Sequence, residues 1–235
     1  MDRHLLFLLN QQWTHPFLDR VLGTLSSLDF WLPFMAAGAC ALVWKQRHRG
    51  AACVLICALG VFLSESCIAR PLKKLTQRAR PHQSMEGVRR VEVAGARPRV
   101  FSLARPMQVS RSGPPEPKGT LRGSFPSAHV LNSTLLGIVL WTFLRWPGWL
   151  LLPPLMAWSR VYTGAHWPSD VLASLLLGVP FSLLLLRACE SIWRGPLTRL
   201  RPAWTADHPT LVFPLSNPSD LMHHSETNRG DRLRS

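Results

Sequence analysis

The chain is short of acid and has no cysteine pattern that redox or metal chemistry would use. Its 13 Asp and Glu stand against 27 Lys and Arg, for a formal charge of +14. The five cysteines (Cys40, Cys53, Cys57, Cys67, Cys189) are odd in number, sit in apolar runs and lack metal-ligand spacing to any histidine. They read as small buried hydrophobes, with neither a disulfide framework nor a zinc site implied. No Asp/Glu/His cluster suits a catalytic metal, so neither a metal nor another cofactor is expected. No internal repeat divides the 235 residues, enough for one sizeable domain. No small-residue cleavage site follows a short apolar core near residue 1, so no removed signal peptide is expected.

The positive charge is concentrated. Thirteen of the 27 Lys and Arg fall between Arg70 and Arg122, with only Glu86, Glu92 and Glu116 among them. Such a block often marks a nucleic-acid or anionic-surface binder. Here apolar segments bracket it, which a soluble nucleic-acid binder does not need, and no nucleic-acid partner is expected.

Five segments approach the roughly 20 apolar residues that cross a hydrocarbon core: 29–45, 51–69, 128–146, 147–163 and 170–188. Asn132, Ser133 and Thr134 in the third and Pro153-Pro154 in the fourth are tolerated in spans that pack on neighbours. Trp31, Trp44, Trp146, Trp149, Trp167 and Trp193 lie near the ends, as an interfacial belt requires. The fold class expected is all-α: an integral membrane helical bundle of about five transmembrane helices. Residues 1–28 pair Leu5, Leu6, Leu8 and Leu9 with Phe17, Leu18, Val21 and Leu22, interrupted by Pro16 and polar residues, and predict an amphipathic helix lying in the interface. The organisation is then 1–28, interfacial segment; 29–190, membrane domain carrying an outer insertion at 82–123; and 191–235, a flexible tail. "VRRVEVAGARPRVFSL" alternates around a glycine and predicts a short hairpin.

"KQRHRG" (45–50), Arg145 and the arginines after residue 186 fall on one side, which the positive-inside rule makes cytoplasmic. The 70–127 and 159–170 loops then share the outer face.

Three polar islands meet there. In "KKLTQRARP", Lys73 and Arg80 are seven apart, about two helical turns, and share a face; the bland reading is snorkelling at a helix end. In "SFPSAHVLN", Pro126 and Ser127 start a helix whose N-terminus suits a phosphate, and His129 sits in its first turn. Capping alone explains the serine; it does not explain the histidine. In "SRVYTGAHWPSD", Arg160 ends one span, His166 follows a turn, and Asp170, four residues on, is placed to accept a hydrogen bond from its imidazole. Three cations and a helix N-terminus suit a phosphoryl group, and two histidines divide into a nucleophile, His166, and an acid, His129.

"K-x6-RP", "PSAH" and "SR-x5-H-x3-D" resemble the three-part signature of the type 2 phosphatidic acid phosphatase superfamily, whose members include membrane lipid phosphatases and vanadium-dependent haloperoxidases. The N-terminal "LN…HPFLD" is similar to bacterial members too. The resemblance implies phosphate binding by Lys73, Arg80, Ser127, Arg160 and the backbone at Ala128. It also implies a phosphohistidine at His166, orientation by Asp170 and proton donation by His129. Ala128 departs from the family's usual glycine, which matters only if that position needs φ > 0. The activity expected is metal-independent hydrolysis of a membrane lipid phosphate or diphosphate, foremost undecaprenyl or another isoprenyl diphosphate, at the outer face of a bacterial inner membrane. Lipid A, phosphatidylglycerophosphate, phosphatidic acid, lipid-to-lipid phosphotransfer, haloperoxidase and a non-enzymatic scaffold are the alternatives.

Overall fold

A computed structural model of the chain describes residues 1–93, 107–117, 123–205 and 210–212. The described residues are mostly helical, with one two-stranded sheet. The chain divides into two compact units, Met1–Leu185 and Leu186–Ser235.

In the first unit, α1 (Asp2–Phe7) passes through a π turn at Leu8–Gln12 to α2 (Pro16–Leu25). Pro16 sits where its missing N–H costs nothing, and the His15 side chain caps the helix by accepting from the Phe17 N–H at 3.1 Å. Then follows α3 (Leu28–Leu63), a π turn at Ser64–Ala69 and α4 (Arg70–Thr76). α3 is not one rod. Arg47 is non-helical (φ 45°, ψ −118°), and a Cβ on Gly50 would lie 2.2 Å from the Leu42 carbonyl oxygen. Carbonyl and glycine eight residues apart meet only if the chain folds back, so "KQRHRG" is the turn its composition predicts.

α5 (Pro81–Ser84) leads into β1 (Arg89–Val93), which pairs antiparallel with β2 (Met107–Arg111). The hairpin therefore exists, but its second strand lies beyond the stretch that alternation marked; residues 94–106 fall outside the described residues. α6 (Ala128–Leu144) ends on Arg145 in the left-handed region, and a 3₁₀ turn at Pro147–Leu151 opens α7 (Leu152–Tyr162). α8 (Pro168–Ile192) follows. The Arg49 guanidinium lies over the Phe143 ring at 5.5 Å, which puts the 45–50 turn and the C-terminal end of α6 together.

The N-terminal segment is built into the protein rather than laid on it. Leu6 packs with Val88, Val130, Ala157, Val161, Trp167 and Val171, and Leu22 packs with Val91 and Tyr162. Its opposite face stays open, with Leu5, Phe17 and Val21 exposed. Polar clamps fix it. Buried Asn10 donates to the Arg89 and Tyr162 carbonyls and accepts from the Arg89 N–H. Asp19 takes two bonds from Arg89 and one, at 2.6 Å, from the Tyr162 hydroxyl.

Two helical stretches, Phe30–Ser84 and Pro168–Leu200, are long and apolar enough to cross a membrane, and Ala128–Leu144 is apolar but shorter. Only 22% and 28% of the residues in the most apolar windows of the first two are buried, whereas the core helix of a soluble bundle would be mostly enclosed. Two sequence expectations change here. Cys40 and Cys67 are exposed and only Cys53 is fully buried. Trp44 and Trp146 are exposed as a belt requires, but Trp167 and Trp193 are buried, so they serve packing instead.

In the second unit α8 runs to Ile192, a π turn spans Trp193–Leu197, and α9 (Thr198–Leu200) and α10 (Pro202–Thr205) follow. Glu190 pairs with Arg194 and accepts the Leu211 and Val212 N–H groups. Residues 206–209 and 213–235 fall outside the described residues.

Candidate active site

The three islands converge, though not by the route their spacing suggested. α4 ends before Gln77, which is left-handed (φ 43°), and Arg80 is extended at the head of α5. Lys73 and Arg80 therefore approach across a turn instead of along one helix face. Burial and then the neighbouring Arg80 hold the Lys73 ammonium below its ordinary range, with Arg160 adding to the effect. Three cations this close are unfavourable without an anion among them.

Ser127 is the N-cap of α6, yet its hydroxyl caps nothing. The Oγ is buried without a hydrogen-bond partner, as is the Nε of Arg160 in the last turn of α7. Buried polar atoms are nearly always paired, so two such orphans beside the cations fit a phosphoryl group better than a structural role. Ala128 is the first residue of α6 and is absent from the positive-φ positions, so the departure from glycine costs nothing. His129 occupies the first turn of the same helix, whose leading N–H groups have no intrahelical acceptors.

His166 is 2% exposed and follows Gly164, whose φ of 69° turns the chain out of α7. A Cβ on Gly164 would stand 2.4 Å from the Arg89 carbonyl oxygen, so both torsion and space demand glycine. His82 braces this turn by donating from Nδ1 to the Gly164 carbonyl at 3.0 Å. Burial, with the charges of Arg160 and Arg80, holds His166 well below the usual imidazole range, so it is neutral at pH 7. Its Nδ1 lies 2.7 Å from the Ser124 carbonyl oxygen. A carbonyl only accepts, so Nδ1 carries the proton and the lone pair is on Nε2.

The expected bond from His166 to Asp170 is not made. Asp170 is fully buried, but its Oδ2 accepts from the Ser124 hydroxyl at 2.5 Å and the Trp167 N–H at 3.3 Å, and its Oδ1 from Arg78 at 2.6 Å. Four residues apart would have sufficed on one continuous helix. His166, however, precedes α8, and Asp170 turns back to cap that helix while Ser124 stands at the imidazole. Arg78 continues outward to Asp2 at 2.7 Å and covers the Trp167 ring at 5.6 Å, and Asp2 also accepts from the Ser169 N–H and hydroxyl. Ser124 and Arg78 stand inside the quoted islands, but their short-range role needed the tertiary contacts to be visible. Asp2 gave no signal at all. Among the described residues, no three His, Cys, Asp or Glu side chains gather as a metal site would need.

This arrangement, a cationic and orphan-lined cage beside a buried neutral imidazole, defines the class: the chain belongs to the PAP2 superfamily, which it matches over residues 50–194. It is 48% identical over 76 residues to YbjG of Escherichia coli K12, covering 31% of this chain and 36% of that one. It is 40% identical over 90 residues to an undecaprenyl-diphosphatase of Sulfolobus acidocaldarius (36% and 41% covered). It is also 28% identical over 148 residues to the decaprenylphosphoryl-5-phosphoribose phosphatase of Mycobacterium tuberculosis H37Rv (63% and 65% covered). The chain thus spans between about a third and two-thirds of the curated relatives it matches. The crystal structure of Aquifex aeolicus LpxE shares the fold, with a TM-score of 0.53 at 21% identity over 79% of this chain and 94% of that one.

Proposed function

We propose that the protein is an integral membrane phosphatase that hydrolyses a polyprenyl-linked phosphate or diphosphate, foremost undecaprenyl diphosphate, through a phosphohistidine. The observation that carries this reading is His166: buried, neutral, its Nδ1–H held by a carbonyl and its Nε2 lone pair available beside Arg160 and Arg80. Family membership and the named activities of two relatives support it.

Lys73, Arg80, Arg160, the Ser127 hydroxyl and the N-terminal N–H groups of α6 hold the phosphoryl oxygens. Nε2 attacks phosphorus as the bond to the leaving oxygen breaks, and His129 gives that oxygen a proton. Water then attacks the phosphohistidine, returns a proton to His129 and releases inorganic phosphate with His166 restored. The fixed cations neutralise the developing charge, the work a divalent metal does in other phosphoryl-transfer sites.

We read 29–45 and 51–69, separated by the fold-back in α3, together with 128–146, 147–163 and 170–188 as five spans, a reading the fold-back supports. The site then opens at the end opposite the basic 45–50 turn, the outer face of a bacterial inner membrane.

The test is phosphate release by detergent-purified protein from a panel of lipid phosphates and diphosphates, with and without EDTA. We expect polyprenyl diphosphate to lead, EDTA to leave the rate unchanged, and His166→Ala to abolish turnover while the protein still folds. A folded His166→Ala protein that turns over overturns the nucleophile. A rate lost to EDTA and restored by Mg²⁺ overturns the metal-free reading.

A further inference from the structure

The bond between His166 and its expected partner Asp170 is replaced by a residue no motif role covers. Ser124 is fully buried and commits every polar group it has. Its N–H donates to the Arg78 carbonyl at 2.7 Å, its hydroxyl to Asp170 at 2.5 Å, and its carbonyl accepts from His166 Nδ1 at 2.7 Å. Arg78 closes the ring, since its guanidinium meets the other oxygen of Asp170 at 2.6 Å. The Asp170 charge is therefore already matched by Arg78, and it reaches His166 only one hydroxyl removed.

We propose that Ser124 is a positioning residue of the phosphatase: its carbonyl selects the Nε2-nucleophilic tautomer of His166, and the Arg78–Asp170 pair acts on His166 by locking Ser124 in place. This rests on His166 being the nucleophile. It assigns Arg78 a second task, charge balance. With the pair intact its two charges offset each other at the imidazole, with Asp2 from α1 on the outer side of Arg78, and the fixed charges left facing His166 are Arg160 from α7 and Arg80 from the head of α5, with His129 from α6 beside them. Removing one member of the pair upsets that balance within a few ångströms of the ring.

The experiment follows the acid limb of kcat/KM on one lipid diphosphate, so that substrate ionisation is common to all variants. Arg78→Gln leaves an uncompensated carboxylate that stabilises the imidazolium, and the limb moves to higher pH. Asp170→Asn removes the carboxylate nearest the ring and leaves Arg78 paired with Asp2 alone, and the limb moves to lower pH. Each shift is expected at roughly two pH units, the scale of a unit charge about 6 Å away in a medium of effective dielectric near 20. The double variant returns the limb to within a few tenths of wild type. Ser124→Ala lowers kcat about 10- to 100-fold, the cost of a misaimed attack, with KM within about twofold.

Single-variant limbs that stay put or move in the same direction overturn the proposal, as does wild-type kcat in Ser124→Ala. Should Asp170→Asn fail to fold, the Arg78→Gln limb and the Ser124→Ala split of kcat from KM decide it. A folded His166→Ala protein with turnover is a different failure, that of the nucleophile itself.

Discussion

Ser127 separates a structural from a chemical role within one side chain. Its sequence position reads as a helix cap, whose loss costs about 0.5–2 kcal/mol of stability. Its hydroxyl makes no cap bond and is buried without a partner. Ser127→Ala should therefore leave the melting temperature unchanged and lower kcat/KM about 10- to 100-fold, the worth of one hydrogen bond to a charged group. A lowered melting temperature with normal kinetics would restore the cap reading. His166 carries a second residue-scale consequence. Because its folded pKa lies below the ordinary 6.5, the neutral nucleophile persists as pH falls through that value. With substrate ionisation corrected for, kcat/KM should not fall from pH 7 down past 6, because His166 stays neutral there and lower pH only favours the protonated form of the donor His129. Stability moves the other way. The unfolded chain binds more protons than the fold between the depressed pKa and 6.5, for His166 and for His82, which burial also holds low. The melting temperature should therefore fall as pH is taken below 6.5 while the rate holds.

At the scale of elements, the turn between α7 and α8 places the nucleophile, and Gly164 is its pivot. Alanine there takes on a left-handed backbone, about 1–2 kcal/mol, and drives a Cβ toward the Arg89 carbonyl. Gly164→Ala should lower the melting temperature and also kcat, since His166 lies two residues on; a variant with native stability and rate would show that the turn adapts. The sequence carried much of this. Apolar length located α3, α6 and α8, and the basic "KQRHRG" composition located the fold-back, because these follow from local solvation and turn chemistry. The proposed cage residues could be named as candidates because cations, a helix start and two histidines in that order together suit a phosphoryl group, although the cations and the serine each have a structural reading when taken alone. Ser124, Arg78, Asp2 and Asn10 could not be named this way, since each acts through partners at least 42 residues away, as in Ser124 to His166 and Asn10 to Tyr162. The same reason hid the anchoring of residues 1–28. Their amphipathic pattern shows one apolar face but cannot say that protein, through Leu6 and Leu22, is what covers it.

At the scale of the whole molecule, the two ends of the first unit differ in what they present. One end carries the 45–50 turn, with Arg49 against Phe143 near Arg145. The other carries Ser124, Ser127 and His166, with the β1–β2 hairpin bound to the N-terminal segment through Asn10 and Asp19. If the bundle crosses a membrane, that polarity fixes which compartment the substrate's phosphate must occupy. Lys45 at the first end is exposed, and Gly113, just past β2, has open space around its Cβ position. In a cysteine-free background, Lys45→Cys and Gly113→Cys should therefore react oppositely with a membrane-impermeant maleimide applied to intact cells. Gly113→Cys should label at once, and Lys45→Cys only after the membrane is opened. The reverse pattern would place the site inside, and the outer lipid pool could then not be its substrate. Labelling of both without permeabilisation would remove the membrane barrier between the two ends, and with it the five-span reading.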